Sequence, residues 1–213
     1  MEKKTIYLMP GMAASSKIFE LLEFPKSVSV KYLNWIQPFK EEKLNKYAYR
    51  MSLLIKCRNP ILIGVSLGGV LVQEISKIIK CHKVVIISSV KSKSELPISM
   101  KMAKHTGVHK LLPLQWIKNV ENLINFVFGD SIKIKLYKKY LSRRDPEYLA
   151  WAFNALVNWK QEEVIGSIVH IHGIDDNIFP IGLIDEPVIK IDGSHAIILT
   201  QAKWFNKNLP KLI

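Results

Sequence analysis

The sequence predicts an α/β protein, a mainly parallel sheet of about six strands with helices on both faces, and two patterns predict it. Short runs rich in Ile and Val alternate with longer stretches of helical spacing. Between one such run and the helical stretch after it, "IGVSLGGV" (63–70) sets a serine among glycines. That is the kind of strand-to-helix junction at which an open parallel sheet binds its ligands.

Thr5 to Met9, Val28 to Leu33, Ile61 to Val65 and Lys83 to Ser88 read as buried strands. Leu44 to Ile55 and Leu67 to Ile79 carry helical spacing, with Val70, Ile75, Ile78 and Ile79 on one broad face. The crossovers are expected to be right-handed. Two more strands follow at Ser167 to Ile171 and Val188 to Ile191, then a terminal helix from about Ala196 to Lys207. From Ser89 to Gly166 the rhythm changes to helical segments punctuated by Pro and Gly, read as an insertion (90–165) over one edge of the sheet in a single domain spanning 1–213. In "RRDPEYLAWAFNALVNW" a helix opens with Asp145 as N-cap, Pro146 in its first turn and Glu147 near the positive end of its dipole. Leu149, Ala152, Phe153 and Leu156 lie on one face, and Tyr148, Trp151, Ala155 and Trp159 on another, which suits a helix held between two layers.

Composition narrows the classes. With 213 residues, 48% of them hydrophobic, the chain can bury a sizeable core in one domain. No segment approaches the roughly 20 apolar residues of a membrane span. The start, "MEKKTIYLMPGMAASS", imitates a signal peptide, but Glu2 sits in its charged region and Pro10 interrupts its core, so it reads as a first strand. Cys57 and Cys81 form no CxxC pair and no disulfide framework, which fits free thiols in a cytoplasmic protein. The net charge of +13 is uneven: 91–144 holds twelve Lys or Arg against three acids. Such a run is ordinarily a solvated face; otherwise it attracts anionic substrates, acidic partners or a membrane surface. No nucleic-acid-binding motif accompanies it. Nothing in the chain sets an oligomeric state.

Gly64-Val65-Ser66-Leu67-Gly68, between a strand and a helix, is a nucleophile elbow, with Ser66 exposed on a strained turn and the glycines admitting close strand–helix approach. The plainer role for Ser66 is a helix cap. As a nucleophile it needs a base. His195 in "IDGSHAIILT" follows the last strand, at the same sheet edge as Ser66. His105 and His109 read as surface residues of the basic insertion, and His82 belongs to the opposite edge. His170 and His172, two apart on one strand, suit packing or backbone support. A carboxylate must then fix the histidine tautomer. "HIHGIDDNIFP" (170–180) offers Asp175 and Asp176, whereas Asp192-Gly193 reads as a turn. The same stretch resembles a metal ligand set, but no third histidine stands beside the aspartates, so no metal is expected. One oxyanion donor is the Leu67 amide at a helix N-terminus; the second falls to the loop after the first strand, where Gly11 lets the backbone turn inward and presents the Met12 amide.

Together these residues resemble the α/β-hydrolase superfamily over almost the whole chain, including its order of serine, acid, histidine. The family's "HG-x-x-D-x-x-x-P" pattern matches His172-Gly173-Ile174-Asp175-Asp176-Asn177-Ile178-Phe179-Pro180 so as to put the acid on Asp176, with Asp175 the runner-up. "GSHAIILTQ" is similar to the family's "GGH" loop at His195. Where relatives often carry His-Gly in the first loop, this chain has Pro10-Gly11. The two antiparallel strands that often begin the fold are not evident, which implies a compact α/β-hydrolase fold of six strands, with 90–165 as the helical lid.

The expectation is therefore a serine hydrolase of carboxylic esters or thioesters that uses Ser66, His195 and Asp176, with Leu67 and Met12 as the oxyanion hole and no cofactor. Met12, Trp151 and Phe153 are candidates for substrate contact, with packing between lid and sheet as the plainer role for the two aromatic residues. The basic lid suggests an anionic small-molecule acyl substrate, such as an acyl group on coenzyme A or an acidic carrier. A non-catalytic ligand-binding protein on the same fold is the alternative from another class. An amidase or carbon–carbon hydrolase would use the same triad.

Overall fold

The computed structural model describes residues 4–106, 139–143, 145–166 and 168–213. Six strands form one parallel sheet: β1 (Lys4–Met9), β2 (Val28–Tyr32), β3 (Ile61–Val65), β4 (Lys83–Ile87), β5 (Ile168–Gly173) and β6 (Ile189–Ile191). Their order is β2-β1-β3-β4-β5-β6, parallel at every pairing. All five residues of β3 are buried, as expected of a central strand covered on both faces.

The helices are α1 (Leu44–Ser52), α2 (Leu67–Ser76), α3 (Ile98–Thr106), α4 (Pro146–Val157), α5 (Ile197–Thr200) and α6 (Ala202–Leu212). Chain direction across the sheet reverses between β1 and β3. With right-handed crossovers, α1 and α2 therefore share one face, where they pack together, while the β1–β2 connection lies on the other, where its 3-10 turn Ser16–Phe19 meets α5. The gap between the carboxyl ends of β1 and β3 is the switch point at which such sheets bind ligands.

The elements differ from the sequence reading mainly at their ends, but β2, expected to be buried, is an edge strand whose residues are half-buried or exposed, because only β1 pairs with it. The expected terminal helix divides at Gln201, and its second part runs past Pro210 to Leu212. Of the insertion, the structure describes α3 and α4; residues 107–138 and 144, with most of the basic run and His109, lie outside the described residues. Asp145 caps α4 as expected, its side chain accepting from the Glu147 N–H at 3.0 Å.

Two charges counted with the basic surface are in fact interior. Lys91 is only 2% exposed and Glu95 fully buried. The Lys91 ammonium donates to the carbonyls of Asp185 and Pro187, while Glu95 accepts from the Asp185 N–H at 3.0 Å. This pair ties the end of β4 to the loop preceding β6. Among the described residues, no helix is long and apolar enough to cross a membrane.

Candidate active site

Ser66 lies between β3 and α2 with φ 53° and ψ −124°, a region L-residues rarely occupy and one that costs on the order of 1–3 kcal/mol. Its backbone is over-determined. The Ser66 N–H donates to the Ile87 carbonyl at 2.9 Å, and its own carbonyl accepts from Gly69 N–H and Ser89 Oγ, each at 2.8 Å. The flanking glycines make the turn possible. A Cβ on Gly64 would stand 2.3 Å from the Gly68 carbonyl oxygen, and one on Gly68 would stand 2.4 Å from that of Pro10. The glycines thus hold β3, α2 and the first loop in contact around the serine.

The loop after β6 delivers His195. It is stitched to the loop after β5: Asp175 N–H donates to the Gly193 carbonyl at 3.0 Å, and a Cβ on Gly173 would stand 2.3 Å from that same oxygen. His195 Nδ1–H donates to Asp176 Oδ2 at 2.8 Å, which leaves Nε2 free to accept from Ser66 Oγ–H at 3.0 Å. Asp175 is exposed and Asp176 buried, so of the two candidate acids the buried one is in contact with the imidazole. The structure thus brings Ser66, His195 and Asp176 into one hydrogen-bonded line. Asp192 and His82 are exposed.

Asp176 is saturated on both oxygens. Its Oδ1 accepts the amides of Ile178 and Phe179 at 2.8 and 2.9 Å, and Oδ2 lies 3.2 Å from His172 Nε2 as well as against His195. Burial works against the charge, but the attraction of His195 and hydrogen bonds from both imidazoles outweigh it and hold the carboxyl well below the usual carboxylate range.

His172 and His170 are more than packing. His172 Nε2 faces two acceptors, Asp176 and the Phe179 carbonyl at 2.8 Å, so it carries the proton, and its Nδ1 meets His170 Nε2 at 3.1 Å. Their spacing of two on one strand was the signal that they share a side; their partner could not be read, because a loop supplies it. Among the described residues no group of three or more His, Cys, Asp or Glu side chains is arranged to hold a metal.

This line of buried groups makes the fold acid-sensitive. Burial, followed by repulsion from His172 and Lys91, pushes the His170 imidazole down to about 2. In the unfolded chain it protonates near about 6.5, so below that pH the unfolded state binds the extra proton and stability falls with pH by up to about 1.4 kcal/mol per unit. Asp176 acts in the same direction lower down: its depressed folded-state value contributes stability above about 3.9, which is lost as pH drops further. Urea unfolding at about pH 7, 6 and 5 is expected to show the first slope, and His170→Phe to flatten it. Equal slopes in the two proteins contradict this assignment.

Beside Ser66 a cleft opens to solvent. Ser66 and His195 are its polar side chains, and the rest of its described lining is glycine and apolar, including Met12, Ile18, Met100, Leu141, Leu156 and Ile178. Leu67 also lines it, and as the first residue of α2 its amide has no intrahelical acceptor. Met12 borders the cleft as expected, but Trp151 and Phe153 do not. Trp151 packs on Tyr47 at 4.3 Å and donates its indole N–H to the Glu42 carbonyl at 2.7 Å, while Phe153 is half-buried against the core. The two apolar faces of α4 gave no means of telling which one looked into the cleft; Leu156 does.

No family model and no curated protein matches the sequence. Solved structures match over the whole chain. A lipase-esterase related protein from Clostridium acetobutylicum superposes with a TM-score of 0.73 at 17% identity, covering 100% of this chain and 95% of its own. A hydrolase from Oleispira antarctica does so at 0.77 and 14%, covering 100% and 91%. The chain has the α/β-hydrolase fold. A bromoperoxidase from Bacillus anthracis shares that fold too, at TM-score 0.71 and 18% identity over 98% of this chain and 91% of its own. The α/β-hydrolase fold therefore leaves the reaction to be argued from the site.

Proposed function

We propose that this α/β-hydrolase-fold protein is a serine hydrolase that cleaves carboxylic esters or thioesters of an apolar acyl group. The observation that carries the reading is the unbroken line from Asp176 through His195 to Ser66, ending on an apolar cleft. His195 Nε2 takes the proton as Ser66 Oγ bonds to the acyl carbon. The same proton then goes to the departing alkoxide or thiolate, leaving a Ser66 acyl ester. Water attacks that ester with His195 again as base, and the carboxylic acid leaves as Ser66 recovers its proton. The Leu67 and Met12 amides stabilise the negative oxygen of each tetrahedral intermediate. Asp176 holds the His195 tautomer throughout.

The apolar lining suits the acyl chain, while the positive run 91–144, beyond the two interior charges, suits an anionic leaving group. The test is turnover of p-nitrophenyl esters of increasing chain length by wild type and Ser66→Ala. Hydrolysis by wild type alone is the expected result, and no turnover of any ester contradicts the reading. On the same reading, KM for an acyl-coenzyme A thioester rises with ionic strength while KM for a neutral ester stays flat. Parallel responses contradict the anionic leaving group.

A further inference from the structure

The structure places an unassigned indole on the loop that carries the Met12 amide. Trp35 follows β2, is 5% exposed, and donates its Nε1–H to the Gly11 carbonyl at 2.8 Å. That carbonyl also accepts the Ala14 N–H at 3.1 Å, closing a turn in which Ala13 has φ 64°. Gly11 itself abuts the serine: a Cβ built on it would lie 3.3 Å from Ser66 Cβ and 3.9 Å from Ser66 Oγ.

A trans peptide is planar, and its C=O and N–H point in opposite directions. Fixing the Gly11 carbonyl on Trp35 therefore directs the Met12 N–H away from the indole, and Met12 borders the cleft beside Ser66 and Leu67. The flipped peptide would leave a buried indole N–H without its acceptor and would turn a carbonyl toward the developing oxyanion. The indole is held in turn. Its ring packs with Tyr47, Tyr148 and Trp151 at 6.0, 5.6 and 6.4 Å, so Tyr148 and Trp151 of α4 buttress it from the insertion. The far side of the turn is held by Arg143, whose N–H donates to the Ala13 carbonyl at 3.0 Å.

We propose that Trp35 is a positioning residue for the oxyanion hole, its indole N–H locking the Gly11–Met12 peptide with the Met12 amide facing the cleft. The proposal rests on the serine-hydrolase reading above. Trp35→Phe keeps an aromatic ring in the cluster and removes the donor. Its kcat is expected to fall about 10- to 100-fold, short of the roughly 10²–10³-fold cost of losing an oxyanion donor outright. KM should stay within about twofold, since ground-state contacts are untouched. Affinity for butylboronic acid, whose Ser66 adduct carries a negative oxygen, is expected to fall by the same factor as kcat.

Tyr47→Phe is the control. It alters the same cluster, but the lost hydroxyl bonds to the backbone of Ile36 and not to Gly11, so kcat should hold. An active wild type with unchanged kcat and boronate affinity in Trp35→Phe overturns this proposal and leaves the hydrolase reading standing. So does an equal fall in both variants, because it makes the cluster merely structural. A wild type inert on every ester overturns both. If Trp35→Phe fails to fold, the Met12 amide nitrogen-15 resonance of the wild type decides: it is expected to shift on forming the boronate adduct, and a stationary resonance overturns the proposal.

Discussion

Substitution of His195 by alanine is expected to lower kcat on the best ester by about 10⁶-fold, the scale on which a triad acting as a unit fails when its base is removed. The geometry concentrates the whole proton path on this side chain: Nε2 is 3.0 Å from Ser66 Oγ, and Nδ1 is 2.8 Å from Asp176 Oδ2. None of the other histidines whose side chains are described is placed to substitute. His82 is exposed, and His170 and His172 are committed to one another and to the far side of Asp176. Steady-state rates of wild type and variant check this. A loss smaller than about 10²-fold would leave the residual activity of oxyanion donors and binding to explain more than it can.

Asp176→Asn is expected to cost about 10⁴-fold in kcat while leaving the backbone in place. The reason is specific to this site. Oδ1 accepts two amides, from Ile178 and Phe179, so the asparagine carbonyl is held there. The new NH₂ then occupies the Oδ2 position, facing His195 Nδ1 and the Nε2–H of His172. His195 must accept at Nδ1, which puts its proton on Nε2 and removes the acceptor that Ser66 needs. The Asn NH₂ also opposes the His172 N–H, so the variant is expected to unfold at lower urea as well. Parallel measurement of kcat and of the urea midpoint checks both effects. Retention of more than a tenth of wild-type kcat contradicts the assigned role.

The readable part of this protein was the part written in local sequence. The Gly-x-Ser-x-Gly spacing lies within five residues, so the elbow is legible from a short stretch of chain alone. Of its two glycines only Gly64 meets close neighbours there, and Gly68 is needed because of Met9 and Pro10, where β1 runs into the first loop. His195 followed from its place after the last strand. Asp176 was separated from Asp175 by its resemblance to a family pattern; in the structure one of the two neighbours is buried and the other exposed. The residues that were not legible depend on partners far along the chain. Trp35 matters through Gly11, Lys91 through the 185–187 loop, and His172 through a loop that folds back over its own strand. A tryptophan on a two-sided apolar helix says that it is buried but not against what, which is why Trp151 was a candidate for substrate contact and stands instead behind Trp35.

The most direct test of the central claim is labelling with a fluorophosphonate, which reacts covalently with an activated serine. Wild type is expected to label stoichiometrically at Ser66, with labelling lost in Ser66→Ala and in His195→Ala. Folded wild type that neither labels nor hydrolyses a small neutral ester would contradict the account and put the ligand-binding alternative in its place.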